Sequence, residues 1–136
     1  MSATGIVMRQ ALGTPPATSA AAWMYSPDIL VYPVTQPTDT SLFTTLYSAG
    51  FSQAPAINTS NYIYVRDKNA NAGPQTSTVY LFSADSNPSA GFMNPLLDPT
   101  QWQSGNFTVN GTAHNSVSIQ ANAQNDVVLG AAPLVW

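Results

Sequence analysis

The run NYIYVRDK, residues 61–68, constrains the fold more than any other part of the chain. Tyr62, Tyr64 and Arg66 fall on one face of an extended strand, because successive side chains of a strand point to opposite faces. Ile63 and the other odd-numbered residues fall on the opposite face, which is also largely apolar. The run therefore predicts the central strand of a sheet, and the Asn- and Gly-rich residues after it predict a turn.

Short β-type runs separated by turn residues fill most of the remaining chain, which predicts an all-β fold. They read DILVYPV, TSTVYLFSA, GNFTVNG, NSVSIQA, DVVLG and APLVW. Pro33 indicates the end of the first run or an exposed edge, and apolar residues on both faces of TSTVYLFSA predict a second central strand. Regular short strands of this kind are typical of an antiparallel β-sandwich. A parallel α/β sheet would need amphipathic helices between strands, and the sequence shows none.

Two segments do not follow the strand pattern. SLFTTLYSAG combines helical spacing of its apolar residues with residues that favour strands, so both readings stay open. NPLLDPTQW predicts a loop with one helical turn, which docks Leu96, Leu97 and Trp102 on the core.

The first 22 residues predict an extended arm that precedes a single domain of residues 23–136. Residues 14–22, TPPATSAAA, combine paired prolines with small side chains, which cannot hold a core. GIVMRQAL lies before them and fits either a short strand or a helical turn. The 136 residues are enough for one domain that buries a core without metals or disulfides.

The low charge of the chain excludes several classes of function. Only 7% of residues are charged, with three cations, six acids and no cysteine, against about 25% charged residues in an average domain. Three cations cannot form the basic stripe that nucleic-acid binding needs. No apolar run reaches the roughly 20 residues of a membrane helix, and the N-terminus lacks a secretion signal. We expect synthesis in the cytoplasm, followed by assembly into a particle or by export through another route.

Several motifs together resemble an immunoglobulin-like module of bacterial proteins, related to CARDB-type adhesion domains. The matching residues are Ser26, Pro27, Asp28, Ile29, Asn61, Tyr62, Tyr64, Val65, Arg66, Asn69, Gly73, Tyr80, Leu81, Pro99, Trp102, Pro133 and Trp136. The resemblance covers residues 23–136. It implies a sandwich of about seven short strands that serves as a spacer, adhesion or assembly module, and it implies no catalytic residues.

The chain departs from the pattern of this module at two places. The Asn-x-Gly turn is stretched between Asn69 and Gly73, which predicts a longer hairpin. Members of the family continue past the final Trp into another strand, whereas this chain stops at Trp136. We therefore expect an unpaired sheet edge that something must cover.

Arg66 is the first candidate for a site, and the sequence favours a structural role for it. An Arg on an aromatic face can bind a ligand. It can also stack on Tyr62 or Tyr64 and bond to a carboxylate or a loop carbonyl, with Asp28 as a plausible partner. Because the chain uses so few charges, we interpret Asp28, Tyr62, Tyr64, Arg66 and Trp102 as a structural anchor.

Other candidate chemistry is poorly supported. Asp67, Asn69 and Asn71 alternate like the start of a calcium loop, but Gly arrives one residue late and Thr78 stands where the loop needs Glu. A hairpin explains them better. His114 is the only histidine and has no neighbouring acid, so neither a zinc site nor a hydrolase site is expected. We predict a non-enzyme without cofactors or metals.

Two functions of different classes fit these observations. The first is a structural module that self-associates into a homo-oligomeric particle, fibre or sheath, in which the arm adds a strand to an open edge. Its expected assembly residues are Ile6, Val7, Met8, Leu12 and Trp136. The alternative is an adhesion module that binds a carbohydrate or another cell-surface polymer through exposed aromatic residues.

Overall fold

The computed structural model describes residues 6–7, 28–56, 58–83, 103–104 and 107–136. Within these ranges the chain is antiparallel β-structure with one helix of five residues. The all-β prediction is therefore confirmed. None of the helical structure in the described ranges has the length and hydrophobicity that a bilayer crossing requires.

The secondary-structure elements are short, apart from the central strand. They are β1 (Ile6–Val7), β2 (Ile29–Pro33), α1 (Ser41–Thr45), β3 (Asn61–Asn69), β4 (Gln75–Tyr80), β5 (Phe82–Ser83), β6 (Gln103–Ser104), β7 (Phe107–Val109), β8 (Thr112–His114), β9 (Ser116–Ala121), β10 (Val127–Leu129) and β11 (Leu134–Val135). The ambiguous segment SLFTTLYSAG thus begins as a helix, and the first predicted strand ends at Pro33.

The nine-residue strand β3 organises the largest sheet, because other strands pair with both of its edges. β2 pairs with its first half and β1 with its last two residues, so these two strands follow one another along one edge. β11 and β10 follow one another along the opposite edge in the same way. All four pairings are antiparallel, and few backbone groups of β3 are left for water.

The large sheet continues from β11 to β7 and then to β8. Asn110 and Gly111 connect β7 to β8 with φ angles of 50° and 77°. Two consecutive residues with positive φ are characteristic of a type I′ turn, whose twist matches that of the flanking strands. This geometry explains why an Asn-Gly pair stands at the hairpin.

Two further strand pairs complete the described structure. β4 pairs with β9 over six consecutive residues, and β5 pairs with β6. The sequence predicts a central position for β4, but in the described ranges β9 alone pairs with it, and Tyr80 is 61% exposed. That prediction was wrong for the outer face, because Thr and Tyr suit an exposed strand face as well as a buried one.

Both faces of β3 contact a hydrophobic cluster, as its alternation predicts. Ile63 and Val65 pack with side chains of β7, β9 and β11, including Phe107, Ile119 and Leu134. The opposite face contributes Tyr62 and Tyr64 to a second cluster, whose other members include Leu30, Phe43 and Phe51. The β4–β9 pair therefore covers one face of β3, while α1 and the residues after it cover the other.

Eight residues named in the sequence predictions lie outside the described ranges: Met8, Leu12, Ser26, Pro27, Leu96, Leu97, Pro99 and Trp102. Most of the expected arm, residues 1–22, also lies outside them. Ile6 and Val7 are the part of it that the structure describes.

Candidate functional site

The most elaborate polar arrangement is the buried contact between Arg66 of β3 and Asp28, which immediately precedes β2. Arg66 Nε donates a hydrogen bond to Asp28 Oδ1 at 3.1 Å, and neither side chain is exposed to solvent. The backbone joins the same two residues, since Arg66 N–H donates to the Asp28 carbonyl at 2.8 Å. The pairing of β2 with β3 thus places the carboxylate beside the guanidinium.

Two further donors of Arg66 bind backbone carbonyls of the segment that covers this face. Nη1 donates to the Phe43 carbonyl at 2.7 Å, and Nη2 donates to the Ala49 carbonyl at 3.3 Å. Phe43 lies in α1 and Ala49 lies in the turn that follows it. One guanidinium therefore fixes the helix and its turn against the sheet.

Tyr47 completes this anchor, and sequence reasoning did not identify it. The ring of Tyr47 lies 5.0 Å from the guanidinium carbon of Arg66, and its hydroxyl donates to Asp28 Oδ2 at 3.3 Å. The sequence analysis named Tyr62 and Tyr64 as stacking partners, whereas these rings belong to the aromatic cluster beside Phe43. No local pattern could reveal Tyr47, because it reaches Arg66 only after the chain has folded back.

This anchor holds charge without offering a reactive group to solvent. Removing two ions from water is costly, and the cost is offset only when the pair is close and its other polar atoms are hydrogen-bonded. Arg66 and Asp28 satisfy both conditions through Tyr47 and the two carbonyls. The arrangement can position a loop, and both of its charged side chains are closed off from solvent.

Asp67, the next residue of β3, is buried without such compensation. It is 1% exposed, and its Oδ1 has no hydrogen-bond partner. Burial, with a smaller contribution from the negative charge of Asp28, raises the pKa of Asp67 from 3.8 to about 7. The carboxyl group of Asp67 therefore changes between its protonated and its ionised form near neutral pH. Sequence reasoning considered Asp67 only as a calcium ligand. The alternation of side chains along a strand shows which face a residue is on, but it does not show how deeply the residue is buried.

The calcium-like spacing after β3 has a different use in the fold. The Asn69 side-chain NH2 donates to the carbonyls of Gly73 and Ala123 at 2.9 and 3.0 Å, and its Oδ1 accepts from Asn71 N–H at 2.9 Å. Asn69 is fully buried and joins the loop that follows β3 to the turn before β10. The predicted hairpin is wrong, because β4 pairs with β9 and not with β3. Within the described ranges, no group of three or more metal-ligating side chains occurs.

His114 lies at the rim of a shallow groove of about 320 Å3. Ser116, Ser118 and apolar residues such as Val109 and Leu134 also line the groove, and none of its described lining residues is a carboxylate. A His-based general base needs a hydrogen-bonded carboxylate or a comparable group to orient it.

Of the residues predicted for assembly, the structure describes Ile6, Val7 and Trp136, which lie at two places along β3. Ile6 and Val7 pair with Asn69 and Lys68 of the same chain. Trp136 exchanges backbone hydrogen bonds with Asn61 at 2.8 and 2.9 Å, and its side chain is 43% exposed. β11, which immediately precedes Trp136, lies between β3 and β7 and is not a margin of the sheet.

Several strands have one unpaired edge in the part of the chain that the structure describes, among them β8 and both strands of the β4–β9 pair. β8 has three residues, and very short edge strands offer little backbone for pairing. β4 and β9 have six residues each, none of them charged, so they offer longer edges than β8. Comparisons with family models, with curated proteins and with solved structures give no match to this chain.

Proposed function

We propose that this chain is a non-catalytic structural module that self-associates into a multimeric particle, fibre or sheath. The observation that carries the proposal is the placement of β1. A two-residue strand from the N-terminal segment pairs with the end of β3, far in sequence from the rest of the sheet. This is the geometry of strand addition, in which a separate extended segment completes an existing edge.

The same pairing is available between copies. Residues 8–27 separate β1 from Asp28, and at about 3.3 Å per residue such a segment can extend over tens of ångströms. A β1 strand can therefore occupy the β3 edge of a neighbouring copy with the register that it has within one chain. Exchange of this kind links identical subunits at low cost, because both partners make contacts that the single chain already makes.

The charge distribution supports close approach between copies. The chain has three cations, and one of them, Arg66, is fully buried in the anchor. Ser, Thr, Asn and Gln supply most of the polar surface instead. Copies of such a protein meet little electrostatic repulsion, which favours association over colloidal stability.

We assign the domain to the immunoglobulin-like sandwiches and to the CARDB-like modules within them. The support is the match of motifs in residues 23–136 and the presence of β-strands on one side of β3 that share a core with it. Membership would place the chain among bacterial or phage proteins that act as spacers or assembly modules. Backbone assignments by NMR that pair the strands in an immunoglobulin order would test this assignment.

Deletion of residues 2–22 tests the role of the arm. We expect the wild-type chain to form multimers whose average mass increases with concentration in light scattering, and the deletion to reduce that mass. A control that replaces only residues 14–22 with a Gly/Ser stretch of equal length keeps β1 and should assemble normally. An unchanged mass after the deletion would show that the arm does not join subunits.

Carbohydrate binding is a second candidate function, favoured by the outer face of the β4–β9 pair. Tyr80 is 61% exposed on this face and pairs across the ladder with Ser116, next to Thr78 and Ser118. An exposed ring among neutral hydrogen-bonding groups can stack on a sugar. Saturable binding to a glycan array that Tyr80→Ser abolishes would favour this function over assembly.

A further inference from the structure

The outer edge of β4 has the features of a pairing surface, and the inference drawn from it rests on the proposed self-association. β4 and β9 pair over six consecutive positions, from Gln75 with Ala121 to Tyr80 with Ser116. The ladder has no bulge, so β4 is straight enough to accept another strand. Bulges, prolines and charged residues are the usual protection of an edge strand, and β4 (QTSTVY) has none of them.

The hydrogen-bond pattern shows which backbone groups face outward. Leu81 N–H donates to the Asn115 carbonyl at 2.9 Å, on the β9 side. Because hydrogen-bonded pairs alternate along an antiparallel ladder, Val79 and Ser77 also exchange their bonds with β9. Thr76 and Thr78 therefore direct their N–H and carbonyl groups away from β9. Among the described residues, no strand pairs with these groups.

The free stretch has a defined end. β5 begins at Phe82 and pairs with β6, so the open part of the edge lies within β4 itself. Thr76 and Thr78 are at its centre. By the same alternation Tyr80 also directs its N–H and carbonyl outward, so β4 offers an added strand three such residues, a total of six hydrogen bonds.

We propose that β4 pairs antiparallel with β4 of a second copy, which creates a continuous four-stranded sheet in the order β9–β4–β4–β9. The edge is self-complementary under a two-fold axis, because an antiparallel pairing of one strand with itself keeps the exposed Thr and Tyr residues on a common face. Directly opposite residues must lie on the same face. Thr78 is then opposite either Thr78 or Thr76 of the partner.

The chemistry of the edge favours a second copy over a charged partner. An acidic or basic peptide gains no complementary charge from β4, whereas two uncharged copies gain hydrogen bonds without repulsion. Tyr80 can also pack on Thr76 across the axis, and aromatic side chains paired with β-branched ones stabilise antiparallel strands. Pairing through β4 and exchange of β1 use different strands, so both contacts can form in one assembly and extend it.

Opposite charges at Thr78 test the pairing. Thr78→Lys and Thr78→Asp each place like charges within a few ångströms of one another across the two-fold axis, and we expect each variant to associate at least tenfold more weakly in sedimentation. An equimolar mixture should recover the association, because Lys then meets Asp. Ser118→Lys, on the same face but on β9, is the matched control and should associate like the wild type.

A cysteine scan gives a second test that does not depend on charge. The chain has no cysteine, so Ser77→Cys or Thr78→Cys introduces one thiol, close enough to its symmetry mate for a disulfide at about 5.5 Å between Cα atoms. Mild oxidation should give covalent dimers for at least one of these variants. Ser118→Cys, on β9 and one strand further from the axis, should give few.

The outcomes separate this inference from the proposed function. If wild-type protein is monomeric at every concentration, both fall. If it assembles and the Thr78 variants assemble equally well without cross-linking, the β4 pairing is wrong and the proposed function stands. If both charged variants dissociate but their mixture does not recover, β4 pairs with a different segment, and the self-pairing is again overturned.

Discussion

β3 and β4 are consecutive strands joined by a short loop, yet they belong to different sheets and have opposite environments. β3 has strand partners along both edges and hydrophobic clusters on both faces. Five consecutive residues of this nine-residue strand, Ile63 to Asp67, are buried. β4 has one partner strand in the described ranges, and its residues alternate between half-buried and exposed. Within the described residues, β3 therefore has strand partners on both edges, whereas one edge of β4 is unpaired.

The difference suggests how one small domain can be stable and still associate. The contacts that stabilise the fold lie where buried polar groups have hydrogen-bond partners, as in the anchor of Arg66 and Asp28. In the proposed assembly, copies associate where backbone groups are hydrogen-bonded on one side only within the described residues, as at Thr76 and Thr78. Changes at β3 should therefore alter the free energy of unfolding, and changes at β4 should alter the mass of the assembly.

Arg66→Ala should have the largest effect on stability. It leaves Asp28 as a buried carboxylate with one partner fewer and removes the donors that bind Phe43 and Ala49, which costs about 3–5 kcal/mol. Urea denaturation at neutral pH measures this loss. Arg66→Lys keeps the charge but not the planar fork, so it should lie between the wild type and Arg66→Ala. A loss below about 1 kcal/mol would contradict the anchor.

Tyr64 and Tyr80 provide a matched pair of substitutions on the two strands. Tyr64 is 4% exposed and Tyr80 is 61% exposed. Tyr64→Ser removes a buried ring from the aromatic cluster and should cost about 3 kcal/mol or more. Tyr80→Ser should change stability by less than about 0.5 kcal/mol while it weakens association. Equal losses of stability in the two variants would remove the distinction between the strands.

The raised pKa of Asp67 predicts an unusual dependence of the free energy of unfolding on pH. Its pKa is raised from 3.8 to about 7 in the folded chain, so the folded state binds the proton more tightly than the unfolded state does between these values. The contribution of Asp67 to stability is full below pH 4 and decreases as the pH rises through 7. Asp67→Asn should remove this decrease of a few kcal/mol.

Denaturation of both proteins at pH 5 and pH 8 isolates the effect of Asp67. The wild type should lose more stability than Asp67→Asn over this interval, because the other groups titrate alike in both. A wild type that gains stability relative to Asp67→Asn as the pH rises would show that the carboxylate is compensated by a partner.

Substitution of Gly130, at the contact between the β3 sheet and β9, should destabilise the protein less than the changes at Arg66 and Tyr64. A Cβ added to Gly130 would meet Val117 Cγ2 at 2.3 Å, which is far inside van der Waals contact. Gly130→Ala should cost about 1–3 kcal/mol, and adding Val117→Ala should recover part of that cost. Gly73→Ala is the control, since nothing lies within 4 Å of the added carbon.

The sequence predicted the regions where local pattern determines the environment. The two faces of β3 follow from strict alternation, and β2 ends at Pro33, which cannot donate to a ladder. The positive φ angles of Asn110 and Gly111 between β7 and β8 have an equally local cause, but the sequence analysis did not single out this turn. The family resemblance and the assembly role of Ile6, Val7, Met8, Leu12 and Trp136 stay predictions.

The remaining features depend on contacts that no local pattern encodes. Tyr47 and Asp28 are 19 residues apart and meet at the same guanidinium. Asn69 reaches a turn 54 residues away. The exposure of β4 was misjudged because Thr, Val and Tyr favour strands whether or not their outer face is covered. Which edge is open depends on the arrangement of the whole sheet.

Amide hydrogen exchange at several protein concentrations tests the contrast between the two strands most directly. We predict that the amides of β3 are protected equally at all concentrations, because their partners lie within the chain. The amides of Thr76 and Thr78 should exchange rapidly in dilute protein and slow down as copies associate. Exchange at Thr76 and Thr78 that does not change with concentration, or protection of β3 that requires high concentration, would contradict the account.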